Sequence, residues 1–205
     1  MIQFTKDDHR YYMDGIPLPS VSSILRQIFG NKYEGIPAHI LERARIFGTE
    51  VHELVELYNE TDIERFTDDP LKNHCLSEWI RLKTENGIEV IASEQIVHFN
   101  DLYGGTFDGL GKIGDALVLL DYKVTYKLDK EHLLFQLNLY RMAYEWMTGT
   151  KISKLYGVWL RKRDRAELVE LEILDDDEMI EMVKNALRDK ANENLTESEA
   201  ESLEA

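Results

Sequence analysis

Cysteine is nearly absent: the 205 residues contain one, Cys75. A single thiol forms no internal disulfide, and one chain cannot then build a thiolate-held zinc or iron–sulfur site. Cys75 falls within the helical pattern "LKNHCLSEW" and reads as a small buried hydrophobe. Long apolar runs are missing too. Nothing approaches the ~18 consecutive apolar residues of a membrane helix, and the opening "MIQFTKDDHR" lacks the apolar core of a signal peptide. The expectation is a cytoplasmic protein with no membrane partner. Positive charge is also short, with 24 Lys and Arg against 39 Asp and Glu and a net charge of −15. This argues against gripping nucleic acid by bulk positive charge. It leaves room for an enzyme that holds DNA in a local groove with metal ions. Part of the acidic excess lies in "NENLTESEAESLEA", which has few apolar residues and reads as a frayed end. There is no internal repeat, and "GLGKIGD" lacks the spacing of a phosphate loop.

Periodicity and punctuation organise what is present. "IQFTKDDHRYYMDGIPLPS" reads as a small hairpin, with aromatic residues around "KDDH" and a turn at "DG". Ser20 is placed to cap a short helix, "VSSILRQIF", stopped by Gly30. A longer helix is predicted from Pro37 to Tyr58, with Pro37 in its first turn. Asp69-Pro70 opens another, closed by Gly87. The period then shortens. "IEVIASEQIVHF", "LYGGTFDGLGKI" and "ALVLLDYKVT" are strand-like, and the third, apolar on both faces, is the candidate central strand. A helix over 130–147 follows, then "KLYGVWLRKRDRAELVELEI" as two strands around a charged turn. "DDDEMIEMVKNALRDK" closes as a helix with acids in its first turn. The fold class is α/β: a central mixed β-sheet flanked by helices, with an N-terminal hairpin and helical region. One domain is expected over 1–190, made of a hairpin and helical part (1–87), a sheet and helix (88–174) and a last helix (175–190). An acidic, flexible tail is expected over 191–205.

The chemistry-bearing residues gather in "GGTFDGLGKIGDALVLLDYKVTY". Asp108 lies between Gly104-Gly105 and Gly109, and glycines permit close approach of a ligand or strand. Asp121 and Lys123 are two apart, so on a strand both face the same side while Tyr122 faces the other. If the strands of Asp108 and Asp121 pair, their carboxylates converge, and such a pair repels unless a cation sits between them. Oxygen ligands of this kind suit Mg²⁺ or Mn²⁺. A lone D-x-K is equally at home as a solvated pair at a strand end.

The surrounding motifs change that balance. "FGTEVHELVE" carries Gly48, Thr49 and His52 upstream; "GGTFDG" and "LVLLDYK" follow; "QLNLY" places Gln136 and Tyr140 one helical turn apart. In this order they resemble the PD-(D/E)XK nuclease superfamily, and look most like its RecB-type exonuclease branch, often phage-encoded. The resemblance implies a restriction-endonuclease-like core and metal-dependent cleavage of DNA, single- or double-stranded. It makes Asp108, Asp121 and His52 metal ligands, with the backbone carbonyl of Val124 as another. Lys123 becomes the catalytic lysine, and Gln136 and Tyr140 face the site and the DNA. Glu94 stands where some members carry a further acid, and is taken as a substrate-side residue. The cofactor implied is Mg²⁺ or Mn²⁺, with no iron–sulfur cluster, since the four cysteines of cluster-bearing members are missing. A role in recombination, replication or repair, with a recombinase or single-strand-binding protein as partner, is implied by analogy only. The alternatives are a structure-specific or single-strand endonuclease, or a non-catalytic binding module on this fold. "RKRDR" (161–165) reads as a solvated hairpin tip that could also touch phosphates. His74, His98 and His132 read as structural.

Overall fold

The computed structural model describes residues 2–5 and 10–203, of which 191–203 by backbone alone. The "KDDH" turn therefore lies outside the described residues. What flanks it is a three-stranded antiparallel sheet of β1 (Ile2–Thr5), β2 (Arg10–Met13) and β3 (Ile16–Leu18). Met13 pairs with Ile16, and Asp14 and Gly15 between them both take positive φ (48° and 83°). That is the backbone a two-residue hairpin needs, and "DG" supplies it.

Ser20 caps α1 (Val21–Phe29), its hydroxyl accepting from Ser23 N at 3.0 Å. α2 (Ala38–Thr61) begins directly after Pro37 and ends at Asp62 in the left-handed region. Asp69 caps α3 (Pro70–Glu85) by accepting from Leu71 N at 2.9 Å.

Five strands form the main sheet, in the order β4 (Ile88–Phe99), β5 (Tyr103–Ile113), β6 (Ala116–Lys123), β7 (Lys154–Trp159) and β8 (Glu167–Leu171). β6 is central, as its uninterrupted apolar run predicts. Its pairing with β7 is parallel and the other pairings are antiparallel. A parallel pair needs a crossover, and α4 (Lys130–Thr148) provides it. α5 (Asp176–Leu203) closes the chain. It continues past the predicted end at 190 into the acidic segment, where Ala, Glu and Leu are good helix formers.

Each face of the sheet has its own core. α1, α4 and α5 cover one face with Ile24, Leu137, Leu139 and Val183, against Leu119 of β6. α2 and α3 cover the other with Val51, Val55, Leu76 and Trp79, against Val118, Leu120 and Tyr122. Alternation along β6 thus sends successive side chains into different cores. Cys75 is fully buried in the second core, and burial pushes its thiol up to about 11. No described helix is long and apolar enough to cross a membrane.

Candidate metal and catalytic site

Register places three acids in one row. β5 pairs with β6 through Gly109 and Leu120, so the next step sets Asp108 opposite Asp121. β4 pairs with β5 on either side of Glu94, through Ser93–Gly109 and Gln95–Phe107, which sets Glu94 opposite Asp108. Glu94, Asp108 and Asp121 therefore stand side by side on three neighbouring strands.

The row is built with backbone irregularity. Four non-glycine residues among those described have positive φ. Three are Asp14, Asp62 and Asn100, residue types that tolerate this region. The fourth is Glu94, at φ 48° within a strand, a conformation that costs on the order of 1–3 kcal/mol and persists where the surroundings impose it. The alternation of β5 also breaks here. Tyr103, Phe107 and Leu110 all enter the α4-side core, which a regular strand would not allow. At the break, Asp108 Oδ2 accepts the Tyr122 backbone N–H at 2.7 Å.

His52 reaches the row from α2, with Nδ1 3.6 Å from Asp108 Oδ2. One ligand atom each from His52, Glu94 and Asp108 lie within 4.8 Å of one another. Support comes from below. The Tyr122 ring meets the His52 ring edge-on at 5.9 Å and the Trp79 ring at 4.9 Å. Asn59 joins them, donating to Tyr122 Oη (3.1 Å) and accepting from Trp79 Nε1 (2.9 Å). Asn59 lies two helical turns after His52, and that spacing is the signal by which it could have been found. Glu56, one turn after His52, is a further acid the motif analysis passed over, and it acts on Glu94.

Asp121 is 1% exposed. Lys123 Nζ lies 2.6 Å from its Oδ2, an ion-pair contact, yet that buried oxygen receives no well-directed hydrogen bond. Burial pushes the Asp121 carboxyl up to about 6, with Lys123 opposing and Asp108 adding to the rise. Burial works against the charge on Lys123, but Asp121 and Asp108 outweigh it and raise its pKa. Glu94 is pushed to about 7 by burial, then by Asp108 and Glu56, with His52 pulling the other way. Its side chain also meets solvent, which screens part of that shift.

The donor set fits a divalent cation. Two carboxylates and an imidazole converge on one point, a third carboxylate has an unsatisfied buried oxygen, and the carboxyl most raised would ionise beside a positive ion. Such oxygen-rich ligands with one imidazole suit Mg²⁺ or Mn²⁺. The grouping differs from the predicted one in a single respect: the mutual cluster contains Glu94, placed on the substrate side by the motif comparison, while Asp121 stands beside it, bound to Lys123. Val124 follows β6 and packs partly buried against the α2–α3 core.

Gln136 and Tyr140 share a face of α4, with Gln136 Nε2 3.5 Å from Tyr140 Oη. Gln136 Oε1 is buried without a hydrogen-bond partner. The Tyr140 ring explains the glycine pair: a Cβ at Gly105 would sit 2.6 Å from Tyr140 Cε1, and one at Gly104 would sit 3.0 Å from Tyr11 Cβ. The close approach is thus by side chains of this chain. A cavity of about 190 Å³ opens beside Glu94 and Asp108, walled by Tyr11, Ser20, Val21, Ser22, Gly105, Thr106 and Tyr140. The other histidines serve the scaffold: His74 Nε2 meets Asp164 O at 3.0 Å, His98 Nδ1 meets Asn100 O at 3.0 Å, and the His132 ring tilts against Phe29.

No protein-family model matches the chain, and no curated protein matches it. Among solved structures it is similar to a candidate exonuclease from Eubacterium rectale, at 16% identity and a TM-score of 0.51, over 86% of this chain and 82% of that one. It is also similar to an alkaline exonuclease from Laribacter hongkongensis, at 15% identity and a TM-score of 0.48, over 91% and 94% of the two chains. At this identity the first likeness is one of fold. The second, with its lower TM-score, adds no argument.

Proposed function

We propose that the chain is a metal-dependent deoxyribonuclease that hydrolyses phosphodiester bonds from DNA ends. The observation that carries this reading is the convergence of His52, Glu94 and Asp108 within 4.8 Å, beside the buried Asp121–Lys123 pair. A bound Mg²⁺ or Mn²⁺ would supply Lewis-acid activation of the attacking water and the scissile phosphate. His52, Glu94 and Asp108 would hold it, with the unsatisfied Asp121 oxygen completing the set. Asp121 fixes the Lys123 ammonium at the end of β6, where it orients water and offsets charge that develops on the phosphate. Tyr122, Asn59 and Trp79 hold the His52 ring in place. His52 comes from the helical part and both acids of the cluster from the sheet, so residues 1–190 act as one catalytic unit. The fold likeness to exonucleases supports the same reading.

The test uses end-labelled linear duplex, closed circular and single-stranded DNA, each with Mg²⁺, Mn²⁺ or EDTA, for wild type and Lys123→Ala. Metal-dependent loss of linear DNA by wild type alone is expected, with closed circles spared. Cleavage of closed circles would make the enzyme an endonuclease. No cleavage of any substrate would remove the nuclease reading.

A further inference from the structure

The backbone that leaves the site after Lys123 carries an exposed aromatic ring. Tyr126 is fully exposed (102%) and Tyr33, from the loop between α1 and α2, is 63% exposed. Tyr33 is near enough to Lys123 to act on its charge. Single exposed rings need no explanation. Here two flank the same lysine, and cations accompany them.

The neighbouring strand end extends this rim. Trp159 stands opposite Lys123 in the β6–β7 register, and its indole N–H donates to Thr125 O at 2.8 Å. This ties the loop that carries Tyr126 to the "RKRDR" loop. Within residues 161–165 there are four cations and one acid, in a chain whose net charge is −15. Two of those cations serve the scaffold: Arg161 pairs with Glu167 (2.9 Å) and Arg165 with Glu85 (3.2 Å). Lys162 and Arg163 are left exposed, with Lys162 lying 3.8 Å over the Phe47 ring. Lys127, next to Tyr126, is exposed and makes no ion pair among the described residues.

We propose that this rim binds single-stranded DNA, with bases stacking on Tyr126 and Tyr33 and phosphates meeting Lys127, Lys162 and Arg163. The inference takes its ligand class from the nuclease reading and adds the strand form delivered to Lys123. Any base offers a face to an aromatic ring, so such a platform is tolerant of sequence. In a duplex those faces are already stacked, so the rim favours an unpaired strand. Isolated local cations suffice, because phosphate contacts are made one by one.

The test is fluorescence anisotropy with labelled oligothymidylate and a blunt duplex of equal length, in EDTA so that no metal-dependent cleavage occurs. The double variant Tyr33→Ala, Tyr126→Ala is expected to lose about tenfold or more in single-strand affinity, with duplex affinity unchanged. Tyr126→Phe keeps the ring and is expected to bind as wild type. Lys127→Ala is expected to lower the slope of log affinity against log salt by about 0.7. Unchanged single-strand affinity in the double variant, equal loss on both forms, or no DNA binding by wild type would each overturn the proposal. Cleavage in parallel reactions with Mn²⁺ separates the two readings. Ring-dependent binding without cleavage sinks the nuclease and keeps the rim; cleavage with ring-independent binding does the reverse.

Discussion

Two groups of charge sit side by side in this protein and are built in opposite ways. His52, Glu94 and Asp108 converge at the edge of a cavity, where water and an ion have access. Asp121 and Lys123 are tucked behind them, and the aspartate is almost completely buried. The first group carries an excess of negative charge that nothing in the chain neutralises, and burial and crowding push Glu94 toward its neutral form. The second is neutralised internally by its own lysine. The difference assigns their tasks: the open group waits for a cation, and the closed pair holds a cation the chain already owns.

The largest expected effect comes from breaking the closed pair. Lys123→Ala should reduce cleavage by about 10²–10³-fold or more, the scale on which one preorganised charge at a reacting group acts. Asp121 then loses the cation that opposes its protonation, so its carboxyl should stay neutral to higher pH than in wild type. Cleavage assays beside circular dichroism check both points, since a folded and fully active variant would strip Lys123 of its role.

The comparison is sharpened by measuring the ion directly. His52→Ala and Glu94→Gln each remove a member of the open group, and both should weaken Mn²⁺ binding by at least about tenfold. Asp121→Asn should weaken it less, because its oxygen only completes the set. Calorimetric titration of the three proteins ranks them. A larger loss in Asp121→Asn than in Glu94→Gln would restore the grouping that the motifs alone imply.

That grouping shows where the sequence stops speaking. The strand boundaries were legible because β4 to β6 have clear period and turn residues, and β6 reads as central from "ALVLL" alone. The pairing of Asp108 with Asp121 followed from a hairpin register. The nearness of Glu94 did not, since it depends on where β4 aligns with β5 and on a positive φ that no residue type announces. Asn59 and Trp79 belong to separate helices, and only tertiary packing brings them to Tyr122. The glycine pair was readable as a close approach, but its cause, the rings of Tyr11 and Tyr140, was not.

A smaller effect tests that packing. Gly105→Ala should displace the Tyr140 ring at a cost of about 1–3 kcal/mol, the range for overfilling a packed site. Chemical denaturation measures it. Unchanged stability would mean that the ring has room to move, and that Gly105 is not what seats it.

The smallest effect is the dependence of stability on pH without metal. Glu94 and Asp121 both have folded-state values above those of an unfolded chain, near 7 against 4.5 and near 6 against 3.8. A carboxyl raised in this way binds its proton more tightly when folded. Its contribution is therefore fully present below the unfolded value and is lost as pH rises through the folded one. In EDTA the melting temperature should fall between about pH 4.5 and 7, by about a degree or two after solvent screening of Glu94 is allowed for. Glu94→Gln should flatten part of that fall. Saturating Mn²⁺ should reverse it, because the ion binds the ionised carboxylates and its affinity grows with pH. A melting temperature that rises across this window in EDTA, or an Mn²⁺ stabilisation that shrinks with pH, would mean that the open group is already compensated within the chain and is not waiting for a cation.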